Sequence, residues 1–454
     1  MKPPARTVLL PVAVATFITA FDGAAVQLVL PIVSEELAAS MDATHWIMTA
    51  FLLVSTSTLL PAGRAGDILG RSRVWRLGLG LFVCASSICA LMPSVGSLVV
   101  ARALQGFGSA LVTANSTAIL VEAYPTKRGQ VVGFGNLALA IAIVVGPPLG
   151  ALLAEAVSWR LIFLIVLPLG VAVWLGTSRL PESHRREAPL DWPSGLLSVV
   201  GLGSLLIAGT FGERWGWTST RTLSFFVVGA LFLAAFVFTQ ARSREPLIER
   251  KLIANRLVIS GLSSAVCAYA ALFAATISVP FFFFHVQHRN LEETGLLIGF
   301  VPLSLAIVAP IAGSVTDRFG SRWLCAPALV VVSLGLVLLV TSGEMLGDAR
   351  LILSLVLIGA GLGGFEAPND VDVLGSLPEQ RLSAGTAVLN AMRNLGMTLG
   401  AALGGTLLQI GIDRGEGSYE ERTAYGVHLA LWAGAGLAAA GALLAAIRPG
   451  RGRV

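Results

Sequence analysis

The chain has 454 residues, of which 55% are hydrophobic and only 13% are charged, and its mean hydropathy is +0.80. About a quarter of the residues of an ordinary soluble protein are charged, so the composition excludes that class. The net charge of +5 is spread over many short polar segments, which argues against a nucleic-acid-binding surface.

Apolar runs long enough to cross a bilayer as helices recur from one end of the chain to the other. They predict fourteen transmembrane spans, at residues 8–33, 46–62, 75–93, 97–120, 130–154, 161–178, 193–212, 222–241, 257–284, 294–315, 323–342, 351–370, 384–410 and 426–447. The first run is too long for the apolar core of a cleavable signal peptide, so we expect it to remain as the first span. The expected fold class is therefore an all-α integral membrane protein.

The basic residues provide a test of this count, because cytoplasmic segments of membrane proteins are enriched in Lys and Arg. With a cytoplasmic N-terminus, 22 of the 31 basic residues fall in inside segments and 7 in outside loops, while Arg102 and Arg393 lie within spans. One missed helix would invert every later loop and remove the asymmetry. The pattern predicts an even number of spans with both termini in the cytoplasm.

The first span carries a carboxylate near its middle, Asp22, in the stretch FITAFDGAAVQLVLP at 17–31. An Asp at the centre of a bilayer costs about 2.5–3.5 kcal/mol on insertion scales, so a purely structural helix would be more stable without it. Asp22 is interpreted either as a group that carries a proton or binds a cation, or as a static partner of Arg102.

The fourth span places its polar residues on one helical face, at spacings of 3, 4, 4 and 3. These residues are Arg102, Gln105, Ser109, Thr113 and Ser116. A helix facing lipid would not align polar groups in this way, so the stripe is expected to face a cavity or another helix. Arg102 lies too deep for easy solvation and needs a carboxylate or carbonyl partner.

The fifth span contains a Gly-Pro cluster made of Gly146, Pro147, Pro148 and Gly150. Small residues let helices approach closely, and proline bends a helix because it removes a backbone hydrogen bond. The cluster indicates a closely packed, kinked hinge. The alternative is that these residues are ordinary transmembrane Gly and Pro, which are common in such helices.

Two stretches of the chain resemble each other, GRAGDILGRSR at 63–73 and GSVTDRFGSR at 313–322. Repeats in transporters mark two half-bundles around a central site. The first copy follows the second span and the second copy follows the tenth, so two extra helices separate the halves. The predicted domains are an N-terminal six-helix bundle, an inserted hairpin of spans 7 and 8, and a C-terminal six-helix bundle, at 1–180, 181–250 and 251–454.

In their order and spacing these stretches resemble the major facilitator superfamily, and within it the fourteen-helix drug:proton antiporters. Residues 63–73 are similar to the signature loop between helices 2 and 3, and ARALQGFGSA at 101–110 to the Arg-x-x-Gln-Gly motif of helix 4. ALAIAIVVGPPLGALLAE at 138–155 is similar to the exporters' Gly-Pro motif. The chain departs from the family at Ile68, where a basic residue is usual, and at Gly23, where Thr or Ser is usual.

The resemblance implies that the two repeated stretches are cytoplasmic gating loops that latch the halves together when the protein faces outward. The residues concerned are Gly63, Asp67, Gly70, Arg71, Arg73, Gly313, Asp317, Arg318, Gly320 and Arg322. The alternative is that the arginines only set the topology. Spans 1, 4, 9 and 12 are implied to line a central cavity. Asp22 and Glu366 would then lie on cavity helices of opposite halves, as candidates for proton and substrate coupling with Arg102.

Glu366 and Arg393 are the further intramembrane charges of the second half, in spans 12 and 13. Solvation near the inner interface is an equally good explanation of Glu366. None of the five histidines forms a metal or catalytic motif, and no nucleotide-binding loop is evident, so we expect no enzyme activity, no metal, no cofactor and no direct ATP coupling.

The expected function is a proton-coupled antiporter that exports small lipophilic, cationic or zwitterionic compounds by alternating access. Its partners would be the substrate, protons and the lipid bilayer, and it would work as a monomer in the bacterial inner membrane. An importer or symporter of the same fold, or a dedicated exporter of one metabolite or antibiotic, is the alternative. A sensor or structural membrane protein would not explain buried charges in both halves.

Overall fold

A computed structural model describes residues 6–177, 191–216, 219–242, 255–289, 291–341 and 348–448, and the regular structure in these ranges is entirely helical. The α-helices are α1 (Arg6–Glu36), α2 (Met41–Ser57), α3 (Leu59–Leu69), α4 (Arg71–Leu91), α5 (Val95–Ala123), α6 (Arg128–Ala156), α7 (Arg160–Gly176), α8 (Trp192–Trp215), α9 (Thr220–Arg242), α10 (Arg256–Phe281), α11 (Leu291–Ile298), α12 (Phe300–Phe319), α13 (Arg322–Val340), α14 (Asp348–Gly375), α15 (Leu382–Arg414) and α16 (Tyr419–Ala446). A π-helical turn, Phe282–Val286, continues α10, and a 3₁₀ turn, Glu379–Arg381, precedes α15.

Twelve helical segments of the described chain are long and apolar enough to span a membrane, and the bent pair α2–α3 makes a thirteenth. Each of the fourteen predicted apolar runs falls on a helix, but α7 is apolar over only 17 residues. The multi-pass helical fold is therefore confirmed. The count of fourteen, the inserted hairpin and the cytoplasmic termini stay predictions.

Helices form along these runs because a helix satisfies its backbone hydrogen bonds internally, which lipid requires. Polar side chains cap the first turns of several helices. Ser40 accepts a hydrogen bond from the Ala43 amide at the start of α2, and Ser94 and Ser418 form capping boxes at the starts of α5 and α16. These caps satisfy amides that have no partner within the helix.

The two predicted gating loops are not loops over most of their length, so this part of the prediction is wrong. Residues 63–69 belong to α3 and residues 313–319 to α12. Only Gly70 and Gly320 turn the chain, with φ of 101° and 83°, a region that glycine enters without steric cost. α2 and α3 are joined at a bend of 47°, so the second span continues as helix where the sequence suggested a turn.

The first of two compact units of the chain comprises the described residues within Met1–Gly203, Leu231–Glu249 and Leu377–Ala391. In it α1 packs on α6, α4 on α5 and α2 on α5. Buried aliphatic and aromatic side chains fill the space between these helices, for example Phe21, Val26 and Phe163 in one cluster and Trp75 and Phe82 in another. The unit also includes the first ten residues of α15.

The second unit comprises the described residues within Ser204–Ala230, Arg250–Ser376 and Met392–Val454. Its core lies where α13 packs on α14, α12 on α14 and α10 on α16. α15 approaches α10 through Gly396, Gly400 and Gly404, where a Cβ atom would come within 2.6 Å of a carbonyl oxygen of α10 or closer. This small-residue spacing of four is typical of tightly packed transmembrane helices. The three-part domain division stays a prediction.

Candidate functional site

Asp22 of α1 forms a buried ion pair with Arg102 of α5, inside the first unit. Nη1 of Arg102 donates to Oδ2 of Asp22, and Nε2 of Gln105 donates to Oδ1 at 2.9 Å. Both carboxylate oxygens therefore have a donor, and all three side chains have an exposed fraction of 0%. The structure brings together three of the predicted site residues, from α1 and from one turn of α5.

The Arg102 guanidinium is also held by its surroundings. Nη1 donates to Oε1 of Gln105 at 2.6 Å, and Nε donates to the backbone oxygen of Ile47 at 3.4 Å. The guanidinium carbon lies 4.3 Å from the centroid of the Phe51 ring and 5.7 Å from that of Phe163, which favours the cation electrostatically. A buried positive charge is thus matched by one carboxylate and several acceptors, as a buried ion pair requires.

The polar stripe predicted on the fourth span divides between two neighbours. Arg102 and Gln105 point to α1, whereas Ser116 accepts a hydrogen bond of 3.0 Å from the indole nitrogen of Trp75 on α4. Ser116 therefore takes part in the α4–α5 contact, and its cavity role stays a prediction. Ser109 is buried and Thr113 half-buried, and for these two residues the cavity role stays a prediction.

Asp67 lies at the end of α3 and binds the first turn of α15, inside the first unit. Its Oδ1 accepts a hydrogen bond from the Ser383 amide at 3.1 Å, and its Oδ2 accepts one from the Ala384 amide at 2.9 Å. Amides of a helical first turn have no partner within the helix, and the helix dipole adds positive potential there. The carboxylate is fully buried, so both effects act in a medium of low dielectric.

Arg71, the first residue of α4, connects this contact to two more elements. Its Nη2 donates to Oδ1 of Asp67 at 3.0 Å, and its Nη1 donates to Oε2 of Glu122 at 2.6 Å. It also donates to the backbone oxygen of Glu379, just before α15. One guanidinium thereby joins α3, α4, the end of α5 and the approach to α15. We call Asp67, Arg71, Glu122 and the Ser383 and Ala384 amides the Asp67 latch.

Gly63 allows α3 to lie directly against α15. A Cβ atom at this position would meet the Ser383 carbonyl oxygen and the Ala387 Cβ at 2.6 Å, which is too short for any real contact. Gly63 thus serves helix packing, whereas the sequence suggested a turn. A Cβ atom on Gly66, one turn later, would likewise be too close to the Asn115 side chain.

In the part of the second repeat that the structure describes, the aspartate is exposed, unlike the buried Asp67. Asp317 and Arg318 lie near the end of α12 with exposed side chains, and Arg73 of the first repeat is exposed as well. Gly313 is buried within α12. The Arg322 side chain lies outside the described residues. Sequence similarity between the repeats therefore predicted the helix ends but not the environment of the two aspartates.

The Gly-Pro cluster lies within α6, which is one continuous helix from Arg128 to Ala156. A Cβ atom on Gly146 or Gly150 would come within 3 Å of Ala24 or Ala25 of α1. The glycines therefore let α6 approach α1 immediately beside Asp22. Pro147 and Pro148 lie between them; the hinge role of this segment stays a prediction.

Four polar side chains meet in the second unit, three of them buried and that of Arg393 half-buried, and we call them the Glu366 cluster. The Tyr269 hydroxyl of α10 donates to Oε1 of Glu366 on α14. One turn further along α14, Oδ1 of Asp370 accepts a hydrogen bond of 2.6 Å from Nη2 of Arg393 on α15. The Arg393 guanidinium also lies 5.7 Å from the centroid of the Tyr269 ring. Glu366 and Arg393 are thus brought together with two residues that the sequence did not single out.

A further buried arginine, Arg448, follows α16 in the second unit. Its Nη2 donates to Oδ1 of Asn369 at 2.6 Å, and its Nη1 donates to Oδ2 of Asp372 at 3.3 Å. The other carboxylate oxygen of Asp372 accepts a hydrogen bond from the Ser321 hydroxyl. This group ties the end of α16 to α13 and α14, and its charges balance.

The described residues contain no group of His, Cys, Asp and Glu side chains that could hold a metal ion. What the networks can do chemically is hold charged side chains in the interior of each unit. Sequence reasoning did not find Tyr269, and it assigned no role to Asp370 or to Glu122, which lie near predicted helix ends where solvation was the simpler explanation. The available signals were the spacing of four between Glu366 and Asp370 and the position of Glu122 at the same helix ends as Asp67 and Arg71.

A family model described as the Major Facilitator Superfamily matches residues 12–241 and 261–452. Among similar proteins, the Uncharacterized transporter YebQ of Escherichia coli (strain K12) is 30% identical over 444 residues, which cover 97% of this chain and 94% of that protein. The Multidrug resistance protein Stp of Mycobacterium tuberculosis (strain CDC 1551 / Oshkosh) is 28% identical, with coverage of 86% and 74%. The Riboflavin transporter RibZ of Clostridioides difficile (strain 630) is 27% identical, with coverage of 87% and 86%.

Solved structures have the same fold. The human organic anion transporter MFSD10 superposes with a TM-score of 0.69 at 15% identity and covers 98% of this chain and 100% of that one. The proton:xylose symporter XylE gives a TM-score of 0.67 at 14% identity, with coverage of 98% and 95%. At such low identity the likeness concerns the fold alone.

Proposed function

The chain belongs to the Major Facilitator Superfamily, and we propose that it is a proton-coupled antiporter that exports small lipophilic cations or zwitterions by alternating access. Membership makes it a multi-pass membrane transporter of small molecules and not an enzyme. The proposal further includes fourteen spans with cytoplasmic termini, α8 and α9 as the inserted hairpin, the bacterial inner membrane, and a monomer as the working form.

One observation carries the proposal, namely the buried carboxylates in each unit at membrane depth. Asp22 in the first unit and Glu366 in the second have exposed fractions of 0% and 2%. Charged side chains are costly inside a membrane and occur there chiefly where ions, protons or polar substrates are handled. A carrier that only lets an apolar solute equilibrate would need neither carboxylate, whereas coupling to a proton gradient requires a buried group that can exchange a proton.

The Asp67 latch supports alternating access, because such a carrier needs contacts that hold one conformation and then release. Hydrogen bonds from backbone amides to a carboxylate, and from a guanidinium to two carboxylates, are strong when dry. They lose their advantage once water enters, because every partner is then solvated. We propose that the latch closes the cytoplasmic end in one state and that the Gly-Pro cluster of α6 bends during the exchange between states.

The direction and the substrate are inferred from the relatives. One is named a multidrug resistance protein and another, from Bacillus subtilis (strain 168), a multidrug transporter protein, which supports export of varied lipophilic compounds. The riboflavin transporter supports a second candidate, a dedicated carrier of one metabolite. Riboflavin therefore belongs in every substrate panel.

Everted membrane vesicles from an efflux-deficient host test the proposal. Respiration acidifies the vesicle lumen, and an exporter of this kind takes substrate into the lumen and releases protons from it. Addition of ethidium, tetraphenylphosphonium, a zwitterionic fluoroquinolone or riboflavin should therefore reduce the pH gradient, which a quenched acridine dye reports. Vesicles without the protein, and vesicles carrying the Asp67→Asn variant, are the controls.

The outcomes separate the candidates. A response to several cationic or zwitterionic compounds supports the multidrug antiporter, and a response to riboflavin alone supports the dedicated carrier. Compounds that accumulate in intact cells expressing the chain would contradict export. No substrate-dependent change of the gradient for any of the four compounds would contradict proton antiport.

A further inference from the structure

The two buried charge networks differ in their net charge, and this difference points to where a transported proton can reside. In the first unit, Asp22 and Arg102 balance each other, and both carboxylate oxygens accept hydrogen bonds. In the Glu366 cluster, two carboxylates share a single cation, Arg393. With both carboxylates ionised, this cluster would carry one uncompensated negative charge in the interior of the second unit.

The hydrogen bonding of the Glu366 cluster is also incomplete. Oε2 of Glu366 accepts no hydrogen bond from the described part of the chain, although the residue is only 2% exposed. Nε of Arg393 is likewise buried without an acceptor among the described residues. A buried charge that has no partner of its own neutralises instead of staying ionised. The unpartnered oxygen is the atom where a proton would be placed.

The groups that face Glu366 come from three helices. Tyr269 on α10 donates to Oε1, Arg393 on α15 acts on Glu366 electrostatically, and Asp370 lies one turn away on α14 itself. Further along α14, Asp372 is paired with Arg448, and elsewhere α14 meets apolar residues of α12 and α13, such as Ala309 near Gly363 and Ala328 near Gly364. Like charges at a spacing of four destabilise a helix, and the burial of both carboxylates strengthens their repulsion.

We propose that the transported proton is bound at Glu366, that Asp370 is a positioning residue which keeps Arg393 away from it, and that Asp22 is a static ion-pair partner. The inference rests on the proposed proton coupling. In the protonated state Glu366 is neutral, Arg393 pairs with Asp370, and the cluster has no net charge.

Release of the proton from Glu366 reverses this arrangement. The O–H bond at Oε2 of Glu366 breaks, the proton passes to water, and the electron pair stays on the carboxylate. The free N–H of Arg393 can then bond to Oε2, so that one guanidinium serves both carboxylates. Pro368, between Glu366 and Asp370, removes a backbone hydrogen bond from α14 at this point, which eases the rearrangement. The cluster now has one negative charge, which a cationic substrate compensates.

Infrared spectroscopy of the substrate-free protein in lipid nanodiscs at pH 7 tests the assignment directly. A protonated carboxylic acid has a carbonyl band that an ionised carboxylate lacks, and this band shifts in D2O. We expect the band in the unsubstituted protein and its loss in Glu366→Gln. It should also be lost in Asp370→Asn, although Glu366 is intact there, because Arg393 is then free to pair with Glu366.

Two further variants are matched controls. The double variant Asp22→Asn with Arg102→Gln keeps a neutral hydrogen-bonded pair in the first unit and should retain the band. Tyr269→Phe removes the donor to Oε1 and should shift the band without abolishing it, which a merely structural role of Tyr269 would not predict. A band that survives Glu366→Gln, or one that is lost only in the double variant, would overturn the assignment.

Proton release on substrate binding separates this inference from the proposed function. Ethidium added to unbuffered nanodiscs should release about one proton per protein molecule, because the cluster contains one protonated carboxylic acid, Glu366. The variants Glu366→Gln and Asp370→Asn should each lose this release. Should the infrared pattern appear without any substrate-driven proton movement in vesicles, proton antiport is wrong while the site of protonation stands. Should antiport occur while the band survives Glu366→Gln, the assignment is wrong and the function stands.

Discussion

Replacement of Asp67 by Asn should open the Asp67 latch while leaving the size of the side chain unchanged. Asp67 accepts hydrogen bonds from the Ser383 and Ala384 amides and pairs with Arg71. Asn has one acceptor oxygen in place of two and no charge, so it can keep at most one of the two amide bonds. Arg71 would lose its ion pair with Asp67 and keep the one with Glu122, and the first turn of α15 would lose its anion.

The magnitude follows from these contacts. A hydrogen bond to a charged group contributes about 1.5–3 kcal/mol, and removal of one member of a buried ion pair costs about 3–5 kcal/mol. We therefore expect the closed arrangement to lose about 3–5 kcal/mol, which corresponds to a factor of roughly a hundred to a thousand or more in its equilibrium constant.

Hydrogen–deuterium exchange reports this change locally. Amides in the first turn of α15 depend on Asp67 for protection, because they have no partner within the helix. Peptides that contain Ser383 and Ala384 should exchange faster in Asp67→Asn by about two to three and a half orders of magnitude, the factor given by the energy above. Asp317→Asn is the matched control, since Asp317 occupies the same motif position with an exposed side chain. Unchanged exchange in Asp67→Asn, or an equal effect in Asp317→Asn, would refute the reasoning.

Three further predictions concern stability and are read from thermal unfolding of the purified variants. Gly63→Ala forces a Cβ atom to within 2.6 Å of α15 and should destabilise the protein by about 1–3 kcal/mol. Gly23→Ala is the control, because a Cβ atom there meets nothing within 4 Å, and it should stabilise the protein by about 0.5–1 kcal/mol. Equal effects of the two substitutions on stability would contradict the close packing of Gly63. Asp22→Asn leaves Arg102 buried without its anion and should cost about 3–5 kcal/mol, most of which Arg102→Gln in the same chain should restore; no recovery would count against a static pair. Ser116→Ala removes one buried neutral hydrogen bond to the tryptophan of α4 and should cost about 1 kcal/mol; we also expect unchanged transport in vesicles, and lost transport would support the predicted cavity role instead.

Hydropathy predicted most of the fold because few backbone structures are stable in a bilayer. A run of about twenty apolar residues must be helical to satisfy its backbone, so every predicted run falls on a helix. Spacing along one helix was equally informative. It placed Arg102 and Gln105 on one face, and it identified Asp22 as one of the possible partners of that face.

Contacts between distant segments could not be predicted in this way. Nothing in GRAGDILGRSR indicates that Asp67 meets amides more than three hundred residues further along the chain, and nothing around Glu366 indicates Tyr269. Glycine was a second source of error. Gly63 suggested a turn, but the residue is helical because a neighbouring helix leaves no room for a side chain. Local sequence reports that a residue is small, not whether the reason is backbone conformation or close approach.

Proton movement across a liposome membrane tests the account most directly, because purified protein excludes every other transporter. Proteoliposomes would enclose the pH indicator pyranine at equal internal and external pH, with the membrane potential clamped by potassium and valinomycin. Tetraphenylphosphonium or a zwitterionic fluoroquinolone would then be added outside, with protein-free liposomes as the control. An antiporter exchanges entering substrate for leaving protons, so we expect alkalinisation of the lumen that depends on the protein. Acidification would show symport, and substrate entry without any pH change would show uncoupled transport; either result would contradict proton antiport.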